Sequence, residues 1–215
     1  MRSSRQSLIA ILLSFMGTSA IVPAAAQMEP TETNAEDVLS AEAAATIFVE
    51  ALINDATQAI TNEELAADQR LSEFQNVLSE GLALNTLSRF MISRAVYDKM
   101  SDTQRARYDA IFPDYNTGQY AKQFDGILGQ PLEVVETTPF RKDIFVRTQF
   151  NRTNSGAVNV DWRTRALKSG GHKLIDIIVN GASIMSVKKS EFAGFISKNG
   201  VDSLLDRLES EVKSG

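Results

Sequence analysis

The sequence predicts an α+β domain: helices first, then a curved, mainly antiparallel sheet of about four strands, then C-terminal helices that close over an apolar interior. Three observations carry this. Apolar residues recur at helical spacing from Ser40 to about residue 126. After Gly129-Gln130-Pro131 the pattern changes to alternation of period two, and after Met185 the helical period returns.

The first 26 residues read as a signal peptide. Arg2 and Arg5 precede a short apolar stretch that starts at Leu8, and Ala24-Ala25-Ala26 offers the small-residue cleavage pattern, so cleavage is expected after Ala26. Loss of residues 1–26 removes those two arginines and no acid, taking the net charge from −5 to −7. Such a chain is a poor partner for nucleic acid, which needs clustered Lys and Arg, and is repelled by anionic bilayers. There is no cysteine, hence no disulfide and no acylated cysteine anchor. The expected product is exported and untethered. Residues 27–39, polar and acidic with Pro30, read as a disordered leader before one domain spanning 40–213.

Ser40 suits an N-cap, and Ala44, Ile47, Phe48, Ala51, Leu52 and Ala59 follow as a helical stripe. A second helix over about 64–80 places Leu71, Phe74, Val77 and Leu78 on one side and ends at Gly81. A third covers about 83–97 with Leu84, Leu87, Phe90 and Met91. Ser101 and Gln104 form a capping-box pattern that opens a fourth helix through Tyr108, Ile111 and Phe112, which Pro113 should end or kink. A separate helical piece, about 116–126, carries Tyr120 and Phe124.

Strand-like runs fall near 132–137, 143–151, 157–167 and 173–185. The second alternates Ile144, Val146, Thr148 and Phe150 against Phe145, Arg147, Gln149 and Asn151; the third sets Val158, Val160 and Trp162 against Asp161, Arg163 and Arg165. Such alternation gives one dry and one wet face. The final helix presents Phe192, Phe195 and Ile196, breaks at Gly200, and resumes with Leu204, Leu205 and Leu208.

One histidine and no cysteine cannot build an ordinary zinc site. Ser183, His172 and Asp176 are formally a triad set, but four residues of strand separate His172 from Asp176 by about 13 Å, and no Gly-x-Ser-x-Gly elbow surrounds Ser183. Strand alternation and the helical stripe put Val146, Val160, Trp162, Ile177, Val179, Met185, Phe192 and Phe195 on the apolar interior. Residue types alone leave open whether these pack against one another or hold a ligand. Lys188 and Lys189 are either solvated or a docking point for a partner.

The stretch His172-Lys173-Leu174-Ile175-Asp176-Ile177-Ile178-Val179-Asn180-Gly181-Ala182-Ser183-Ile184-Met185 resembles a pattern of the MlaC (toluene-tolerance, Ttg2) family, as do Lys189-Ser190-Glu191-Phe192 and Asn199-Gly200-Val201-Asp202-Ser203-Leu204-Leu205. Phe90-Met91-Ile92-Ser93-Arg94, Ser101 through Tyr120, and Val160-Asp161-Trp162-Arg163 match upstream, so the resemblance covers about residues 40–210. His172 stands where the family usually has Trp, Lys189 replaces Arg, and Pro113 interrupts a helix the family tends to continue.

The resemblance implies an NTF2-like or MlaC-like fold around a lipid pocket, and a soluble periplasmic carrier of phospholipid with no catalytic residue and no cofactor beyond that cargo. It further implies acyl chains against the eight interior residues; Lys188 and Lys189, just after the last strand where the helix roof begins, are expected to form part of the docking surface. The implied partners are an inner-membrane ABC transporter complex with an MlaD-type periplasmic domain and an outer-membrane MlaA-type lipoprotein–porin complex. The implied role is maintenance of outer-membrane lipid asymmetry. The alternatives are an isomerase-like pocket enzyme using Asp161 or Asp176 as base, or a carrier or adaptor for another lipid such as a hopanoid.

Overall fold

The computed structural model describes residues 35–124, 130–152 and 156–214. The predicted signal peptide lies outside them, as does the leader up to residue 34.

The first helix, α1, runs Ala35–Thr61, so it starts before Ser40 and takes the last positions of the predicted leader into helical backbone. Helix α2 follows at Ala67–Gly81. Gly81 ends it as predicted, and here the missing side chain matters. A Cβ at this position would meet Leu52 Cδ1 of α1 at 2.6 Å, so glycine lets the two helices approach.

The predicted third helix is two: α3, Leu84–Ile92, and the short α4, Arg94–Tyr97. Ser93 divides them with φ of 64°, outside the helical region, and its hydroxyl accepts from Val96 N at 3.4 Å to cap α4.

Helix α5, Asp102–Phe124, opens on the predicted capping box: Gln104 N donates to Ser101 Oγ at 3.2 Å, and Ser101 N donates to Gln104 Oε1 at 2.9 Å. It then passes through Pro113 without ending, joining the two predicted pieces into one helix. An internal proline costs about 3 kcal/mol. Burying Tyr108, Phe112, Tyr115 and Tyr120, each at most 3% exposed, outweighs that.

Five strands follow in a meander, ordered β1-β2-β3-β4-β5: Glu133–Phe140, Asp143–Arg152, Gly156–Ala166, His172–Val179 and Ala182–Ser183, all antiparallel. The fourth predicted run, 173–185, is therefore two strands and a helix start. Asn180 and Gly181, with φ of 48° and 82°, form the tight turn between β4 and β5. Asn-Gly is a strong hairpin signal because both central positions of a type I′ turn need positive φ. Met185 accordingly stands on α6, Ile184–Ser214, whose two halves meet at Gly200 with φ of 82° and ψ of 173°, the predicted break.

The dry face is built of cross-strand rows: Val146–Trp162–Ile177, Thr148–Val160–Val179 and Ile144–Thr164–Leu174. Its polar members bond internally. Trp162 Nε1 donates to Thr148 Oγ1 at 2.8 Å, and Thr164 Oγ1 donates to the Ile144 carbonyl at 3.1 Å. A β-bulge between Arg163 and Thr164 on the β3–β4 pair leaves Ile175 outside the register, which keeps Leu174 and Ile177 on the same face. The wet face carries ion pairs. Arg163 and Arg165 clamp Asp143 at 2.5 and 2.6 Å, and Arg147 reaches Asp161 at 2.6 Å and Glu136 at 3.0 Å. Helix α1 covers the dry face from β1 to β4, with Thr46 and Thr137 sharing a hydrogen bond of 2.8 Å, and α6 packs against β4 and β5. Helices α2 and α5 form the layer beyond.

Candidate ligand-binding site

Helical spacing decides which side chains face outward between α1, α2, α5 and α6. On α2, Phe74 and Leu78 point into the core, while Ser72, Asn76 and Ser79 form the adjacent stripe. On α5, Asp114, Thr117, Gly118 and Ala121 form a stripe at i, i+3, i+4 and i+7. With Ile60 of α1 and Glu211 and Val212 of α6, these stripes bound a groove of about 620 Å³, within the range typical of small-molecule pockets. Gly118 widens it. A Cβ there would find only Gln75 Nε2, at 3.8 Å.

Among the described residues the groove's charged lining consists of Asp114 and Glu211, with no Lys or Arg. Glu211 is engaged by Arg207 at 2.7 Å and Gln119 at 3.3 Å. This is a poor anion site, and its apolar surface comes from Ile60, Leu71, Pro113, Tyr115, Ala121 and Val212. Tyr115 is the inner wall. It is 3% exposed, and its ring lies 5.6 Å from that of Phe192. Burial drives its phenol well above the usual tyrosine range, so it stays neutral.

The structure places the eight interior residues behind that wall. Val146, Val160, Trp162 and Ile177 are buried on neighbouring strands, and Met185 and Phe192 are buried on α6. Val179 and Phe195 are half-buried, the latter under the Arg207 guanidinium at 5.2 Å. None of the eight lines the groove. They pack as a continuous core that meets it through the contact of Tyr115 with Phe192.

Tyr115, Gly118 and the groove stripe escaped the sequence reading because Pro113 was taken to interrupt the helix. Continued through that proline, the spacing puts Asp114, Thr117, Gly118 and Ala121 on one face, but the groove needs α1, α2 and α6 as well. Lys188 pairs with Glu191 at 3.0 Å, while Lys189 sits 4.1 Å over the ring of Phe90, itself 43% exposed.

The two candidate bases are both engaged. Asp161 is held by Arg147. Asp176 accepts from Ser183 Oγ at 2.7 Å, Ile177 N at 2.9 Å and Met185 N at 3.4 Å. Desolvation still raises its carboxyl above the ordinary range. Ser183 in turn caps α6, accepting from Ser186 N at 3.0 Å. The Ser183–Asp176 pair is thus a helix-start device, while His172 stacks on Phe48 at 6.2 Å. Among the described residues no cluster of three metal-ligating side chains forms, and no helix is long and apolar enough to cross a membrane.

The profile of the MlaC protein family matches residues 50–210. No curated protein matches the chain. Among solved structures, a phospholipid-binding protein from Ralstonia solanacearum, determined in complex with a phospholipid, is similar with a TM-score of 0.64. That chain is 19% identical, and the match covers 78% of this chain and 96% of that one. At this identity the likeness shows the fold.

Proposed function

The chain belongs to the MlaC family, and from that premise we propose that it is a periplasmic phospholipid carrier. It takes acyl chains through the helical groove and against the apolar core behind Tyr115. The observation that carries this is the groove itself: a cavity of about 620 Å³ whose inner wall, Tyr115, touches Phe192 and so the interior. Each methylene exposed to water costs about 0.8 kcal/mol, so a 16-carbon chain costs on the order of 12 kcal/mol. Any carrier across an aqueous gap must replace that contact with protein. Entry past Tyr115 brings the chains to Phe192 and Met185, then to Trp162, Ile177, Val146, Val160 and Val179, with Phe195 at the margin.

The headgroup stays outside. The groove's charged groups are the carboxylates of Asp114 and Glu211, which repel a phosphate, so the carrier should accept diverse glycerophospholipids. Binding without chemistry fits Asp161 and Asp176, whose carboxylates are already engaged. Lipid moves between an inner-membrane ABC transporter complex and an outer-membrane lipoprotein–porin complex, in support of outer-membrane lipid asymmetry. Lys188 and Lys189, with the exposed Phe90, form part of the surface where such a partner docks.

Native mass spectrometry of the protein purified from cells tests this. A mass increment matching phospholipid, with release to liposomes accelerated by a partner's periplasmic domain, is the expected result. A protein that emerges empty and stays empty when mixed with phospholipid vesicles refutes it.

A further inference from the structure

Helix α5 carries a second polar feature, on the side facing away from the groove. Asn116 and Tyr120, one helical turn apart, are 2% and 1% exposed. Among the described residues neither Asn116 Oδ1 nor the Tyr120 hydroxyl has a hydrogen-bond partner. Protein interiors leave few such atoms unsatisfied, and two stacked on one face of one helix belong to one locality. Their surroundings do not supply the missing bonds. Asn116 Nδ2 lies 3.9 Å from Met185 Sδ, a weak acceptor. The nearby Asp176 carboxylate is committed to Ser183, Ile177 and Met185. Burial and then Asp176 push the Tyr120 phenol far above the usual range, so it remains a neutral donor and acceptor.

An amide oxygen needs a donor, and a phenol can both donate and accept. A methylene satisfies neither, and an ester or phosphate oxygen could satisfy Tyr120 alone. A hydroxyl can both donate to the amide oxygen and accept from the phenol. We propose that Asn116 and Tyr120 form a buried hydroxyl-recognition subsite, selecting acyl ligands that carry a hydroxyl over those that do not. Tyr115, the groove's inner wall, meets Phe192 of α6, and Asn116 lies against Met185 of the same helix, so a chain that passes Tyr115 along α6 comes to this pair. The assignment rests on the carrier reading above. A trapped water has the same chemistry, and the experiment separates the two sources.

Delipidated full-length mature protein is loaded with a fluorescent fatty acid. That probe is displaced by palmitic acid or by monohydroxylated palmitic acids with the hydroxyl at different carbons. The best hydroxylated member should bind about tenfold more tightly than palmitic acid, the worth of roughly one to two buried hydrogen bonds. In the Asn116→Leu/Tyr120→Phe double variant the ratio should fall to near one. Tyr120→Phe alone, which removes a single oxygen and preserves the ring, should reduce it severalfold and serves if the double variant does not fold. A ratio near one in the unmodified protein, with only thermal stability lost on Tyr120→Phe, means the pair holds water and overturns the proposal. So does a preference that survives both variants. Failure of the unmodified protein to bind any fatty acid or phospholipid sinks the carrier reading as well, whereas lipid binding without a hydroxyl preference sinks this proposal alone.

Discussion

Replacing Tyr115 with alanine removes the wall between the groove and the core. Truncating a buried aromatic costs about 3–5 kcal/mol, depending on how far the site collapses. Tyr115 is 3% exposed, but one side of it borders the groove. The new void therefore merges with an existing cavity instead of standing closed, and a loss near the lower end, about 3 kcal/mol, is expected for the delipidated protein. For a domain of this size a kilocalorie shifts Tm by about 2–4 °C, so Tm should drop by about 6–12 °C. Lipid-loaded protein should lose less. Two or three methylenes filling the vacated space, at about 0.8 kcal/mol each, would restore about 2 kcal/mol. Thermal unfolding of both proteins, each delipidated and loaded, reads this difference directly. Equal losses in the two states would mean that bound chains never reach Tyr115, and the route inward from the groove would be wrong.

Gly118→Ala should raise Tm, because alanine exceeds glycine in a helix interior by about 1 kcal/mol and the added Cβ meets only Gln75 Nε2 at 3.8 Å. Gly118→Trp should leave the protein folded by circular dichroism but cut co-purified lipid severalfold by filling the groove. Asp143→Asn should destabilise by about 1–3 kcal/mol in urea unfolding at neutral pH, since it leaves Arg163 and Arg165 without their shared carboxylate. Burial pushes the Asp143 carboxyl up, but bonds from Arg165 and Arg163 outweigh this and hold it below the ordinary value. Its contribution is therefore complete above the unfolded carboxylate pKa, about 3.9, and is lost as pH falls through the lower folded value, so the variant should lose less stability on acidification than the parent. Asp176 has the opposite sign, because desolvation raises its folded pKa. Relative to Asp176→Asn, the parent should gain stability as pH falls from neutral through that raised value, and gain nothing further below about 3.9. A flat difference across that window in a pH series of urea melts would refute the burial assigned to Asp176.

Much of the fold was legible in the sequence because its signals are local. Period-two alternation set Val146, Val160 and Trp162 on one face and Arg147, Asp161 and Arg163 on the other, and the strand registers agree. Gly81, Gly200 and the Ser101–Gln104 box marked helix ends or breaks through backbone geometry and hydrogen bonds available within a few residues. Asn180-Gly181 was equally local, and the hairpin it makes could have been read from the dipeptide.

Other features depended on distant parts of the chain. Pro113 has a local preference to stop a helix. It is overruled because the side chains before and after it are buried by elements far away in sequence, including Phe192 against Tyr115. The groove exists only where stripes from α2 and α5 meet the ends of α1 and α6, a juxtaposition with no signature in any one segment. The same holds for Asn116 and Tyr120. Their chemistry is written in the sequence, but their isolation from partners is set by what packs around them. Period and turn chemistry are properties of neighbouring residues and can be read along the chain. Cavities and unsatisfied polar atoms are properties of the space between elements, so only the tertiary structure decided them.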